Sequence, residues 1–378
     1  MSPKPLRSIL LVDDDRFVLG GLQHVLRSER HRFSVRVVDG GAAALAALAR
    51  EPADVVVSDL RMPGMSGLEL LERVLAEWPG TARLLLSGWA DIDSIVRAGG
   101  VAHRYLIKPC DAETFRRELT EVCQTLDLLP DPRLRAAFGS IRSLPVSPAT
   151  VATLLSLPTD PEQRSRSIAD AVLADVALAV RVVQFASSPA FGAPHAISGV
   201  QEALRLLGPA LLREIAATLE PLASAAVLPG AAGSLEGLER HARATARVAR
   251  IIAPDGASSD EIATAALLHD AGRLALLTRL PGPYLETVQL AARSGRSLPE
   301  VERDVLGTTH AQVGAYLLGL WGLPRPIVDA VARHHDDSAL EGDGEDLAAI
   351  VATANLLAHQ ADAAERSGPG SAFSRSFR

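Results

Sequence analysis

The stretch ILLVDDD (residues 9–15) runs four apolar residues straight into three aspartates. An apolar run this short, closed by acids, reads as a buried strand with Asp13, Asp14 and Asp15 at its carboxyl end. The pattern recurs at DVVVS (54–58), which is rich in β-branched residues and stops at Asp59. Working outward, Phe33–Val38, Arg83–Leu86 and Tyr105–Ile107 read as three more strands. Helical spacing separates them: Val18, Leu22, Val25 and Leu26; Ala42–Ala49; Leu68, Leu71, Val74 and Leu75; and Ala112–Leu126. Strands alternating with helices predict a doubly wound, five-stranded parallel sheet with right-handed crossovers, an α/β domain over residues 1–128.

Beyond Leu128 the pattern changes. Pro130-Asp131-Pro132 is a stiff break, and residues 129–133 are expected to be a linker. From 134 to 362 only helical periodicity is found, as in Ile168/Val172/Leu173, Val176/Val180/Val183 and Ile350/Ala354/Leu357. This predicts an all-α domain with halves at 134–228 and 236–362, parted by a hinge in PGAAGSLEG (229–237). The end of the chain, 363–378, is Gly/Ser-rich and is expected to be a disordered tail.

Composition narrows the function. With 38 cations against 45 anions the formal charge is −7, so there is no excess of cations to neutralise phosphates, and no nucleic-acid partner is expected. Cys110 and Cys123 are too few for a disulfide framework or a thiolate zinc site, and fit a cytoplasmic protein. No apolar run approaches the roughly 18 residues of a membrane span, and no signal peptide is read. Only Lys4 and Lys108 among the 38 cations are lysine, and Asn355 is the only asparagine, so both positions draw attention.

In a parallel sheet, ligands gather beyond the carboxyl ends of the strands. Asp13 and Asp14, Asp59, Ser87 and Lys108 follow four different strands and share that edge. Carboxylates crowded there call for a hard divalent cation such as Mg²⁺. A carboxylate beside such an ion and a fixed ammonium can act as a nucleophile toward phosphorus.

Residues 7–126 resemble a two-component receiver domain through ILLVDDD (9–15), VVVSDLRMPGMSGLEL (55–70), LLLSGWAD (84–91) and YLIKP (105–109). The resemblance implies that Asp59 is phosphorylated and that Asp13, Asp14 and Asp59 hold Mg²⁺. It makes Ser87 and Tyr105 the switch pair, Lys108 the phosphate-binding lysine and Pro109 a cis proline. Asp15 can equally be the cap of the first helix. Lysine at 108 in so arginine-rich a chain fits a working site, because a guanidinium does not replace an ammonium at a tight phosphate site.

The helical half carries His241, His269-Asp270, His310 and His334-His335. One histidine on an apolar helix is an ordinary core or cap residue, but five with an adjacent Asp suit a borderline divalent metal such as Fe, Mn or Zn. Residues 134–362 resemble an HDOD domain, a relative of the HD phosphohydrolases, through SLPVSP (143–148), DVALAVRVVQFASSPAFG (175–192), ISGVQEALRLLG (197–208) and the histidine motifs. Ser187 stands where that family commonly has asparagine. Active HD enzymes place a later Asp among their metal ligands, and here that position is Asn355. The Gly-Tyr-Pro signature of cyclic-dinucleotide phosphodiesterases is absent from DDSALEGDG (336–344), and Arg273 replaces their lysine. The resemblance therefore implies a degenerate metal or ligand pocket in a non-catalytic signalling domain, and a response regulator served by a histidine kinase or phosphotransfer protein. A downstream protein or small ligand, and a homodimer, are further expected partners. The alternative is a phosphorylation-gated, metal-dependent phosphohydrolase or cyclic-dinucleotide phosphodiesterase.

Overall fold

The computed structural model describes residues 6–88, 100–188, 197–218, 231–336 and 346–367. The first unit alternates β1 (Arg7–Val12), α1 (Arg16–Val25), β2 (Phe33–Val38), α2 (Gly41–Arg50), β3 (Val55–Asp59), α3 (Gly67–Glu77) and β4 (Ala82–Ser87), and ends in β5 (Arg104–Ile107) and α4 (Ala112–Leu128). All five strands are parallel, in the order β2-β1-β3-β4-β5. Strands β3, β4 and β5 are buried along their whole length, as sheets covered on both faces require. The order reverses between β1 and β3, so the crevice beyond their carboxyl ends is where a ligand fits.

The rest of the described chain is helical. Asp131 caps α5 (Pro132–Gly139), with Pro132 in its first turn, so the helix starts inside the stretch expected to be linker. Helices α6 (Pro148–Leu155), α7 (Pro161–Ala174), α8 (Val176–Ser187) and α9 (Val200–Ala217) follow, the last broken at Gly208-Pro209. Then come α10 (Ala231–Ile252), α11 (Ser259–Leu268), α12 (Ala271–Arg279), α13 (Pro281–Ser294), α14 (Leu298–Leu306), α15 (His310–Leu320), α16 (Arg325–Arg333) and α17 (Leu347–Ser367).

Two further boundaries differ from the sequence reading. The expected hinge at 229–237 is helical from Ala231, through Gly233 and Gly237. A helical glycine costs about 1 kcal/mol relative to alanine, and the buried Leu235 and Leu238 outweigh that. The expected tail begins as helix, because α17 continues to Ser367 through the good helix formers Ala363, Ala364, Glu365 and Arg366. Residues 368–378 lie outside the described residues.

The two units pack together through named contacts. Arg83 of β4 is fully buried and donates from Nε to the Val101 carbonyl (2.6 Å), from Nη1 to Thr81 (3.1 Å) and from Nη2 to Gly139 at the end of α5 (2.9 Å). Burial pulls its pKa down to about 10, so it stays charged at neutral pH. The Arg83 backbone N–H donates to Nδ1 of His103, which burial and the neighbouring guanidinium hold well below the usual imidazole range. Arg83→Met keeps the apolar stem but takes the guanidinium donors from the buried Val101 and Thr81 carbonyls, while Gly139 keeps only His103 Nε2 at 3.3 Å. It is expected to destabilise the protein by about 3 kcal/mol, read as a lower urea midpoint.

A second contact joins Arg104 of β5 to α15. Its Nη1 meets Glu118 (2.6 Å) and Glu121 (2.9 Å) of α4, while Nη2 donates to the Gly319 carbonyl (2.6 Å). Gly319 lets α15 lie this close, since a Cβ there would stand 2.6 Å from Thr125 Oγ1 of α4.

Candidate functional site

The first site lies at the crevice of the sheet. Val12 ends β1 and delivers Asp13, which is buried, while Asp14 is exposed. Asp15 caps α1 by accepting the Phe17 N–H, which settles the open reading of that residue. Asp59 closes β3, buried at 7% exposure, with Oδ2 accepting the Arg61 N–H at 2.9 Å. Oxygens of Asp13, Asp14 and Asp59 lie within 4.8 Å of one another. Lys108 reaches into this group. Its Nζ donates to Asp13 Oδ2 at 2.6 Å and pairs with Asp59 Oδ1. Burial pulls the Lys108 pKa down, but the bonds to Asp13 and Asp59 outweigh it and leave the ammonium held above its ordinary value. The Lys108-Pro109 bond is cis, as the sequence predicts.

Three carboxylates facing one ammonium leave a net negative hollow. The donor set is all oxygen, partly open to water, and so fits a hard cation that keeps some of its waters. Ser87, at the end of β4, is buried, and its hydroxyl has no hydrogen-bond partner among the described residues. Tyr105 does not join the acids. It is buried at the junction with the helical unit, bordering a small cavity with Gln184, Phe185 and Ser187 of α8, and its carbonyl accepts from Ser188 Oγ at 3.4 Å. Residues 89–99, which carry part of LLLSGWAD, lie outside the described residues.

The second site is built at helix junctions. His269 and Asp270 link α11 to α12, His310 opens α15, and His334 and His335 end α16. His241 sits within α10 and Asn355 within α17. Gly272 makes the convergence sterically feasible, because a Cβ there would lie 1.9 Å from the His310 carbonyl.

The sequence predicts one pocket, and the structure places these residues in two groups that share Asp270. One is His241, His269 and Asp270; the other is Asp270, His310, His334 and His335. Asn355 belongs with the first, where its Oδ1 lies 2.8 Å from His241 Nε2. Its missing charge therefore falls in the first group.

The second group keeps a carboxylate and three imidazoles. Asp270 Oδ1 is 3.3 Å from His310 Nε2 and 3.7 Å from His334 Nε2, and His310 and His335 face each other Nε2 to Nε2 at 3.0 Å. The outer nitrogens are tied. His310 Nδ1 lies 2.7 Å from Glu302 Oε2, and Nδ1 of His334 and of His269 donates to the carbonyl of Val331 and of Ala266, each at 2.7 Å. Such bonds fix the rings and aim each Nε2 inward, as metal-ligating histidines require. The Nε2 atoms of His269 and His334 have no hydrogen-bond partner among the described residues. Burial drives the pKa of His269 down to about 4 and puts His334 well below the usual range, so both are neutral. Burial also lowers His310, but Asp270 and Glu302 overcome it and raise the pKa to about 9. Asp270 is held well below the usual carboxylate range, its burial outweighed by His269, Arg273 and His310. The donor set fits a borderline divalent metal.

Glu302 was missed from sequence. It is completely buried, and also accepts the His310 N–H at 2.9 Å. The available signal was an acid beside Val301 and four residues after Leu298, on the apolar stripe of α14. Arg273, whose Nη1 is 3.0 Å from Asp270 Oδ2, and His359, stacked on His241 with ring centroids 4.1 Å apart, border the same site.

Residues 144–337 match the HDOD domain family, and residues 9–120 match the response regulator receiver domain. The chain belongs to the HDOD family, and it carries its HDOD domain behind a receiver domain, the architecture of a response regulator. It is 40% identical over 109 residues to the response regulator protein FleR of Pseudomonas aeruginosa, covering 28% of this chain and 22% of that one. It is 35% identical over 104 residues to the hydrogenase transcriptional regulatory protein HoxA of Cupriavidus necator, covering 27% and 21%. The chain thus spans under a quarter of the length of these two relatives. Among solved structures, the MmoQ response regulator of Methylococcus capsulatus is similar at 27% identity, covering 60% of this chain and 90% of that one, with a TM-score of 0.47. No helix among the described residues is long and apolar enough to cross a membrane.

Proposed function

We propose that this chain is a phosphorylation-controlled response regulator in which Asp59 is the phosphoryl acceptor and the HDOD domain is the output. The observation that carries the reading is the meeting of Asp13, Asp14, Asp59 and Lys108 in one hollow at the sheet crevice. An Asp59 carboxylate oxygen attacks the phosphorus of a phosphohistidine on a kinase or phosphotransfer protein. A P–O bond forms as the P–N bond breaks, and the leaving imidazole takes up a proton. Asp13, Asp14 and Asp59 would hold Mg²⁺, which neutralises charge on the transferring group. Lys108 neutralises the rest, and the Ser87 hydroxyl bonds to a phosphoryl oxygen. The test is labelling by a small phosphodonor with Mg²⁺, which the Asp59→Asn variant must lose.

The output reading rests on α15. Near one end its Gly319 carbonyl receives Arg104 of the receiver; at the other end is His310 of the histidine cluster. Nine residues of helix span roughly 14 Å, so a shift of the β5–α4 face is transmitted through a rigid element. Arg104→Ala removes the bond to Gly319 and is expected to raise the radius of gyration in X-ray scattering, with Asp59 labelling unchanged. An unaltered profile would count against this contact as the coupling element.

One observation favours a second reading. The group of Asp270, His310, His334 and His335 keeps its carboxylate and its oriented imidazoles, whatever Asn355 does. A metal there supports a phosphorylation-gated phosphohydrolase, in which bound water serves as the nucleophile. Metal content and hydrolysis of bis(p-nitrophenyl) phosphate test it.

A further inference from the structure

Between α7, α9, α10 and α11 lies an open pocket of about 190 Å³. Its floor is apolar: Val200, Ala263 and Leu267 are buried there, with Leu173 and Ala246 partly exposed. Its rim carries Arg243, Arg247 and Arg250, spaced i, i+4 and i+7 and so on one face of α10. Arg243 donates to the Ala174 carbonyl at 2.8 Å. Arg247 and Arg250 are exposed and have no carboxylate partner among the described residues, in a chain with 45 acids and 38 cations.

The one carboxylate lining the pocket is committed elsewhere. Asp260 turns both oxygens to the start of α9, where Oδ1 accepts the Gln201 N–H at 3.2 Å and Oδ2 the Glu202 N–H at 3.1 Å. Thr264 likewise accepts the Val200 N–H at 2.9 Å. The oxygens of Asp260 are thus held by backbone N–H groups, and its one charge faces three guanidinium groups, leaving the pocket net positive. An anion balances that charge, and guanidinium groups suit phosphate through paired N–H donors. The apolar floor asks for a second moiety, and the pocket has room for a ring against that floor while the charged part of the ligand stays at the open rim.

We propose that this pocket binds a nucleotide, with its phosphates on Arg247 and Arg250 and its base against Val200, Ala263 and Leu267. The site shares no residue with the acid hollow or the histidine cluster, so it stands or falls apart from the proposed function.

The test is calorimetric titration of the full chain with ATP, GTP, adenosine and inorganic pyrophosphate, in EDTA so that neither metal centre contributes. Saturable binding of ATP or GTP is expected. Adenosine, without phosphate, and pyrophosphate, without a base, should each bind at least about tenfold more weakly. Arg247→Glu with Arg250→Glu, both at exposed positions, should weaken the nucleotide by at least about tenfold with the circular dichroism spectrum unchanged. Asp59→Asn should leave the affinity as it is. The proposal is overturned if neither nucleotide binds below about 1 mM, or if the charge-reversed variant binds as the parent does. Pyrophosphate binding as tight as ATP would equally defeat it, since the floor would then contribute nothing.

Discussion

Asp59→Asn is expected to remove all phosphoryl labelling by acetyl phosphate in the presence of Mg²⁺, from about one group per chain to background. The amide is nearly isosteric and keeps the backbone of β3, but it lacks the anionic oxygen that attacks phosphorus. Asp13 and Asp14 are not expected to substitute, because Asp13 is paired with Lys108 and both acids are proposed to hold the cation. Lys108→Ala should slow labelling by at least about tenfold, the order of loss seen when one fixed charge-stabilising donor is removed. Lys108→Arg should not restore it, because a planar guanidinium does not fit between Asp13 and Asp59 at ammonium distances. Labelling that survives Asp59→Asn would place the acceptor elsewhere.

The second large effect is expected in the histidine cluster. Protein purified from medium supplemented with Mn, Fe and Zn should carry about one transition-metal ion per chain. His334→Ala should reduce this to less than about a tenth. Its Nε2 is buried beside Asp270 with no hydrogen bond, and its Nδ1 is tied to Val331, so it stands ready as a ligand. Asn355→Ala should leave the metal content nearly unchanged, because Asn355 bonds to His241 in the neighbouring group. Glu302→Gln should weaken the metal by about tenfold or more, since the carboxylate that orients His310 is replaced by a neutral amide. Metal-free protein would remove the hydrolase reading and leave the HDOD domain as an interaction module alone. Equal losses in Asn355→Ala and His334→Ala would mean that the two groups do not act separately.

The receiver was largely legible because its chemistry sits at strand ends. A strand with period-2 geometry and a following acid fixes where the carboxylate lies, so Asp13, Asp59 and Lys108 could be brought together from linear sequence. Tyr105 was less legible. Its backbone position follows from β5, but its surroundings are set by α8 and α15, which lie many residues away. The same limit explains Arg83 and Arg104. In an arginine-rich chain neither stands out, and what distinguishes them is burial against Gly139 and Gly319 across the junction.

For the histidines, sequence identified the ligating residue types but not their grouping. The partition around Asp270 depends on how α11, α12, α15 and α16 meet, and helix periodicity does not encode that. Asn355 accordingly drew more weight in the sequence than its single bond to His241 gives it in the fold. The hinge at 229–237 and the tail from 363 were read from small-residue composition, which sets only a weak preference that packing and neighbouring helix formers override.

The most direct test of the central claim is to trap the phosphorylated residue chemically. An acyl phosphate on an aspartate is reduced by borohydride to homoserine, whereas a serine or histidine phosphate is not. After treatment with acetyl phosphate and Mg²⁺, peptide sequencing by mass spectrometry should find homoserine at position 59 and at no other aspartate. Homoserine at Asp13 or Asp14, or its absence from the treated protein, would contradict the account.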